Sequence, residues 1–344
     1  MSRRGIGVIG LGMASLPHGK SLRALSDRVD VKAVFSPNAE RRQAFAERFA
    51  MPAVDRVETI LDDPDISAVL LLTPPNARTD LVEVLAANHK NILMEKPVER
   101  TTAAAAVIVE RCAKADVKLG IVFQHRFRKA SLALRQYMQD GALGDLSAVQ
   151  LAVPWWRPQS YYDEPGRGSY ERDGGGVLIS QAIHSLDLML SLTGPVSEVS
   201  AIAGTTDLHH MESEDFVAGG LRFENGALGS LVATTANYPG ETENITIIGS
   251  KGAARLTGGE LILDFEDGRQ ELVGEEATGS GGGADPMAFP HDWHQRLIED
   301  FLDALDGNKE PSPNGREALR VHRLIDALLL SAKECRHVRM DDLV

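Results

Sequence analysis

Apolar runs and helical segments alternate along the first third of the chain. Ala68-Val69-Leu70-Leu71-Leu72 is apolar without alternation, the pattern of a strand covered on both faces. Gly5–Ile9, Val31–Phe35 and Asn91–Met94 read as companion strands. Helical segments lie between them, through Leu25 and at Ala39–Phe49, Thr79–Asn88 and Thr101–Ala115, which is the alternation of a parallel sheet. Near Phe123 the pattern changes. Asn225-Gly226, Lys251-Gly252 and Asp267-Gly268 each sit between strand-like runs and mark hairpins, so a meander of antiparallel strands is predicted over roughly Val196 to Val273. Arg316 to Glu334 has helical apolar spacing and is expected to pack on that sheet. Two domains follow, residues 1–122 and residues 123–344. A strand such as Leu228-Gly229-Ser230-Leu231-Val232-Ala233 alternates, and an apolar outer face there calls for a partner subunit.

The first strand runs into Gly10-Leu11-Gly12-Met13-Ala14-Ser15 and then a helical segment, the strand–turn–helix setting of a dinucleotide fingerprint. Gly10 permits the tight turn, Gly12 lets the backbone approach a pyrophosphate, and Ser15 stands where a third glycine is usual. After the second strand come Ser36, Pro37 and Asn38, then Arg41 and Arg42. No carboxylate stands there for the ribose diol of NAD, and a small hydroxyl beside arginines suits a 2′-phosphate, which favours NADP over NAD. Ligands of parallel sheets bind beyond the carboxyl ends of the strands, so Thr73-Pro74-Pro75-Asn76 should border the cofactor. The fourth strand delivers Glu95-Lys96-Pro97 to the same edge, where Lys96 is held by its proline. Beside a nicotinamide, such a lysine can hydrogen-bond a reacting oxygen.

A second chemical signal is Gly174-Gly175-Gly176 opening a helix. Leu178, Ile179, Ala182, Ile183, Leu186, Met189 and Leu190 define its buried face. Ser180, His184 and Asp187 fall at steps of four and three on an adjoining face, where a carboxylate and a hydroxyl flank an acid/base imidazole. The glycine-opened start offers N–H groups to polar ligand atoms. Arg167, in Glu164-Pro165-Gly166-Arg167-Gly168-Ser169, is expected to bind a carboxylate or phosphate.

The glycine turn, Thr73-Pro74-Pro75-Asn76, Glu95-Lys96-Pro97, Gln124-His125-Arg126-Phe127 and the triple-glycine helix with His184 together resemble the Gfo/Idh/MocA family, the glucose-fructose oxidoreductase and inositol dehydrogenase-like enzymes. The resemblance covers essentially the whole chain. It implies an α/β protein, an N-terminal Rossmann domain followed by an α/β domain on a large, mostly antiparallel open sheet. It implies NAD(P)-dependent hydride transfer at an alcohol carbon of a sugar-like or cyclic polyol. Lys96 and His184 match the family's catalytic lysine and histidine, and Ser180 stands where many members carry an aspartate. Thr79 stands where many have histidine. On the same likeness Gly10, Gly12, Met13, Ala14, Ser36, Arg41, Thr73, Pro74, Asn76, Glu95, Lys96 and Gln124 would hold the cofactor. Lys96, Arg126, Trp156, Arg157, Tyr161, Arg167, Gln181 and His184 would face the substrate. A homodimer or homotetramer through the second sheet is implied. Rival activities of the same framework are a cis-dihydrodiol dehydrogenase, a glycosidase that reduces and reoxidises bound NAD within each cycle, and a non-catalytic NAD(P)-binding sensor.

Composition narrows the remaining classes. A net charge of -13 with no basic concentration argues against nucleic acid, and no apolar run reaches transmembrane length. The basic start, Met1-Ser2-Arg3-Arg4-Gly5, leads into a strand rather than a signal peptide. Two cysteines, Cys112 and Cys335, are too few for a disulfide framework and point to a reducing cytoplasm. His291 and His294 with Asp292 make a weak metal signal, so no metal is expected. Gly279-Ser280-Gly281-Gly282-Gly283 reads as a mobile loop.

Overall fold

A computed structural model describes residues 3–274, 282–283 and 289–343. Of the glycine-rich loop, positions 279–281 lie outside the described residues. The chain forms two compact units, residues 1–124 with 290–319, and residues 125–289 with 320–344.

In the first unit the strands are β1 (Arg4–Ile9), β2 (Val29–Phe35), β3 (Ala53–Val54), β4 (Ile66–Leu71), β5 (Asn91–Glu95) and β6 (Leu119–Val122). They form one sheet in the order β3-β2-β1-β4-β5-β6. Every pairing among them is parallel. Ile6, Val8, Val69, Leu70, Leu71, Ile92 and Met94 are fully buried, as strands covered on both faces require. The connecting helices at Ala39–Phe49, Thr79–Ala87 and Thr102–Lys114 agree with the periodicity. Asn38 and Thr101 cap the first and last of these through their side chains.

A division at 122/123 places 290–319 in the second domain; the structure returns this segment to the first unit. The physical reason is packing. The Asp292–Asp306 helix buries Leu297, Ile298, Phe301 and Leu302, and Phe301 covers Gly120 of β6, where a Cβ would meet its ring at 2.9 Å.

The second unit holds β7 (Leu146–Pro154), β8 (Val196–Gly204), β9 (Phe216–Phe223), β10 (Leu228–Thr234), β11 (Asn244–Gly249), β12 (Gly252–Thr257), β13 (Glu260–Phe265), β14 (Gln270–Gly274) and β15 (Val338–Arg339). Their order is β14-β13-β12-β11-β7-β10-β9-β8-β15. The meander from β8 to β14 is present, but β7 is inserted between β10 and β11 and runs parallel to β10. That insertion splits the meander into two antiparallel blocks. β10 buries Leu231 and Ala233 and leaves Leu228 and Val232 exposed, the alternation of a sheet with one covered face. The Gly315–Glu334 helix covers part of that buried face: Leu328 meets Gly219 of β9, and Ser331 Oγ accepts from the Ala201 amide of β8.

Candidate active site

The predicted cofactor positions of the first unit all stand at the carboxyl edge of the parallel sheet. Gly10 follows β1 with φ +99, and a Cβ there would lie 2.7 Å from the Leu72 and Thr73 backbone. Only glycine satisfies both demands. A Cβ on Gly12 would meet open space, so the backbone there is accessible to a ligand. Ser15 is buried and donates to the Gly12 carbonyl at 2.7 Å, tightening the turn before the Ser15–Ala24 helix. Met13 is exposed beside it. These features fit the pyrophosphate of a dinucleotide.

At the end of β2, Ser36 is buried and Arg42 Nη1 donates to the Ser36 carbonyl at 2.6 Å and to that of Pro37 at 3.2 Å. Arg41 is exposed, and its amide is capped by Asn38. After β4, Pro74 and Asn76 are exposed and Thr73 is partly so.

Sequence reasoning missed the residue that fixes this edge, Arg78. Its buried guanidinium donates from Nε and Nη2 to the Thr73 carbonyl at 3.0 and 2.6 Å, and from Nη1 to the carbonyls of Glu95 and Pro97. It thus ties the loop after β4 to the Glu95-Lys96-Pro97 segment after β5. Burial lowers its pKa to about 10, which leaves it charged at neutral pH. At the start of a helix in the sequence it looks like a solvated cation.

Glu95 is held from the other side. His18 Nε2 lies 2.8 Å from Glu95 Oε1, and the Lys96 amide donates to Glu95 Oε2 at 3.1 Å. Burial would raise this carboxyl, but the His18 hydrogen bond and the neighbouring His18 and Lys96 hold it below the usual carboxylate range. The result is a backbone at Lys96 fixed by its own neighbour, with the lysine side chain partly exposed.

His294 completes this group, its ring edge-on to His18 at 4.8 Å. It therefore lies with His18 and Glu95. Ligand atoms of the three residues lie within 4.8 Å of one another. Two ligands of one tetrahedral ion stand about 3.3 Å apart, whereas the His18–Glu95 contact is a direct hydrogen bond at 2.8 Å. The arrangement is a hydrogen-bonded strut under the lysine loop. Burial, with the His18 charge, pushes the His294 pKa down to about 3, so it folds neutral. Below about pH 6.5 the unfolded chain takes up a proton that native His294 refuses, so stability is expected to fall as pH drops from about 6.5 towards 3. In His294→Leu that contribution should vanish, flattening the dependence of Tm on pH between 6.5 and 5; an unchanged slope would contradict it.

In the second unit, the predicted helix begins one turn differently. Leu178–Ala182 is wound as a π-helix and only Ile183–Thr193 as an α-helix. Ser180 Oγ is 3.5 Å from the Gly175 carbonyl, and Gln181 is buried in the same turn.

The amides of Gly176, Val177 and Leu178 are engaged within the protein. Glu214 accepts from the Gly176 and Leu178 amides through its carboxylate, each at 3.2 Å, and from Val177 through its carbonyl at 2.8 Å. A Cβ on Gly176 would lie 1.8 Å from that carbonyl, so close approach explains this glycine. The carboxyl group at this helix start is therefore that of Glu214, and burial raises its pKa.

Asp187 engages a residue from outside its own helix. Its oxygens hold Arg126, with Nε–Oδ2 at 2.6 Å and Nη2–Oδ1 at 2.5 Å, a buried bidentate pair. His184 stacks on His125, with ring centroids 4.9 Å apart. Behind His125 lies a chain of charges: Arg128 Nη2 donates to His125 Nε2 at 2.7 Å, and Arg128 Nη1 to Glu243 Oε1 at 2.6 Å. Trp155 Nε1 closes on Glu243 Oε2 at 3.0 Å.

The aromatic stretch forms a neighbouring cluster. Arg157 is buried, donates to the Trp156 and Gly283 carbonyls at 2.8 and 2.5 Å, and stacks over Trp155 and Tyr161. Arg167 lies over the Tyr161 ring and binds Glu164 and the Tyr161 hydroxyl. Trp156 meets the exposed Tyr238 edge-on. His209 is fixed between Asp215 and the Arg157 carbonyl at 2.7 and 2.8 Å. Of the predicted substrate residues here, Trp156, Tyr161 and Arg167 keep partial exposure.

Known proteins resemble this chain in both units. Residues 4–123 match the oxidoreductase family with an NAD-binding Rossmann fold, and residues 131–255 match the Gfo/Idh/MocA C-terminal domain. The chain belongs to the Gfo/Idh/MocA family of oxidoreductases. Myo-inositol 2-dehydrogenase of Thermotoga maritima is 24% identical over 98% of this chain and 99% of its own. Levoglucosan dehydrogenase of Pseudarthrobacter phenanthrenivorans is 24% identical over 79% of this chain and 76% of its own. Among solved structures, the WlbA dehydrogenase of Bordetella pertussis in complex with NADH and UDP-GlcNAcA superposes with a TM-score of 0.84. It is 26% identical and the match covers 98% of this chain and 97% of that one. Among the described residues, no helix is long and apolar enough to cross a membrane.

Proposed function

We propose that this protein is an NAD(P)-dependent dehydrogenase that acts on an alcohol carbon of a sugar-like or cyclic polyol, with Lys96 and His184 in proton transfer. The observation that carries the reading is Lys96 itself. It leaves a largely buried strand at the sheet edge that carries the Gly10–Gly12 turn, and its backbone is clamped by Arg78 and Glu95. A lysine so fixed serves position rather than solubility.

Gly10, Gly12, Met13 and Ala14 would hold the pyrophosphate, Ser36 and Arg41 the adenosine ribose, and Thr73, Pro74, Asn76, Glu95 and Gln124 the nicotinamide side. When bound, the cofactor supplies the hydride acceptor or donor. Lys96 holds the reacting oxygen by a hydrogen bond, and His184 exchanges its proton. The lack of a carboxylate after β2, with Arg41 exposed there, favours NADP over NAD. Trp156, Tyr161 and Arg167 are the residues proposed to set which polyol is accepted. The unjoined thiols of Cys112 and Cys335 suit a cytoplasmic setting.

Fluorescence titration with NADPH and NADH, then a panel of inositols, aldoses, nucleotide sugars and dihydrodiols, tests this reading. Tighter NADPH binding and substrate-dependent reduction of the cofactor are expected. Tight binding with no net reduction on any candidate would favour a glycosidase with internal redox cycling or a sensor.

The second sheet is proposed to form a homo-oligomer. Ile202, Leu228, Val232 and Ile248 are exposed apolar side chains on β8, β10 and β11. Val232→Glu should shift the light-scattering mass towards the monomer; a wild-type protein that is already monomeric would refute the interface.

A further inference from the structure

We propose that His125 is a positioning residue for His184, an uncharged ring held in one tautomer by Arg128 and Glu243 so that His184 alone titrates. The inference rests on the reading of His184 as a proton-transfer residue. An arginine only donates, so the 2.7 Å contact from Arg128 Nη2 makes His125 Nε2 an acceptor and leaves the ring proton on Nδ1. Protonating His125 would place an N–H against a guanidinium N–H and a second cation beside a buried one. His125 and Arg128 are both 2% exposed, which leaves little water to screen that repulsion.

The guanidinium is itself compensated. Glu243 is buried, accepts from Arg128 at 2.6 Å and from Trp155 at 3.0 Å, and the Gly258 carbonyl receives Arg128 Nη1 at 3.2 Å. Arg126, next to His125, and Asp187, one turn beyond His184, form a second buried ion pair and neutralise each other. His184 therefore faces a neutral aromatic ring flanked by two ion pairs. It can change charge without competing with a second protonated imidazole 4.9 Å away. Both residues of the Arg128–Glu243 pair lie far from His184 in sequence, which is why the motif alone does not reveal them.

The experiment is a titration of the full-length protein labelled with ¹⁵N at histidine, followed by NMR from acid to alkaline pH. His125, assigned by loss of its signal in His125→Asn, is expected to show the Nδ1-protonated neutral pattern with no titration down to about pH 5, while His184 titrates singly. A His125 that protonates in the wild-type range overturns the proposal, and this outcome needs no variant to fold. Arg128→Met provides the second arm. There His125 should begin to titrate, and the acid limb of the kcat/KM profile should steepen from one ionisation to two. An unchanged His125 titration in a folded Arg128→Met protein also overturns it. Should His184→Ala retain full turnover, the catalytic reading fails, whereas the tautomer measured by NMR still stands or falls by itself.

Discussion

Replacing Lys96 with methionine is expected to lower kcat by about 10²–10⁴-fold, the usual size of a positioned acid/base contribution. The methionine keeps the length and apolar stem of lysine but carries neither charge nor donor. Arg78 grips the backbone carbonyls of Glu95 and Pro97, and Glu95 grips the Lys96 amide, so neither contact uses the lysine ammonium. The loop should therefore hold its course in the variant. Cofactor affinity, measured by fluorescence titration, should stay nearly unchanged while turnover collapses. Turnover retained at wild-type rate would remove Lys96 from the chemistry. A parallel loss of cofactor binding would mean that the substitution disturbs the loop instead.

The second large effect concerns folding. Asp187→Ala should destabilise the protein by about 3–5 kcal/mol, because it leaves the Arg126 guanidinium buried without its bidentate partner. For a unit of this size that is a fall in Tm on the order of 10 °C. Replacing both partners with apolar residues, Arg126→Met with Asp187→Leu, should recover most of the loss, since no unpaired charge then remains. Thermal unfolding of the single and double variants checks this. A single-variant loss below about 1 kcal/mol would show that the pair contributes no more than a surface salt bridge.

The two predictions differ in how far the sequence anticipates them. Lys96 was legible because a motif of adjacent residues follows a buried run, and strand, turn and sheet edge are all local consequences of that run. The same holds for Gly10, whose φ +99 and contact with the Leu72 backbone are what a glycine turn after a first strand implies. Asp187 was legible only as a member of a helical stripe. Its real partner, Arg126, is 61 residues away and meets it through tertiary packing, which periodicity does not encode. The π-helical turn at Leu178–Ala182 has the same character, since an i→i+5 pattern leaves no signature in the apolar spacing that still reads as helix.

The sheet of the second unit divides along the same line. Hairpins after β9, β11 and β13 carry turn residues and were visible. The insertion of β7 between β10 and β11 joins strands separated by more than seventy residues, and no local signal marks it. The return of 290–319 to the first unit is likewise a matter of which apolar surface Leu297 and Phe301 cover. Charged residues whose burial is decided by such packing, Arg78, Arg128, Glu214 and Glu243, look solvated in the sequence and turn out to be buried in hydrogen-bonded positions.

The most direct test of the central claim is isotopic. A polyol accepted by the protein is labelled with deuterium at the carbinol carbon, and the mass of the reduced cofactor is measured after turnover. Direct hydride transfer predicts that the deuterium appears on the nicotinamide with no loss to solvent. Deuterium released to water, or oxidation of no polyol with either cofactor, would contradict the assignment.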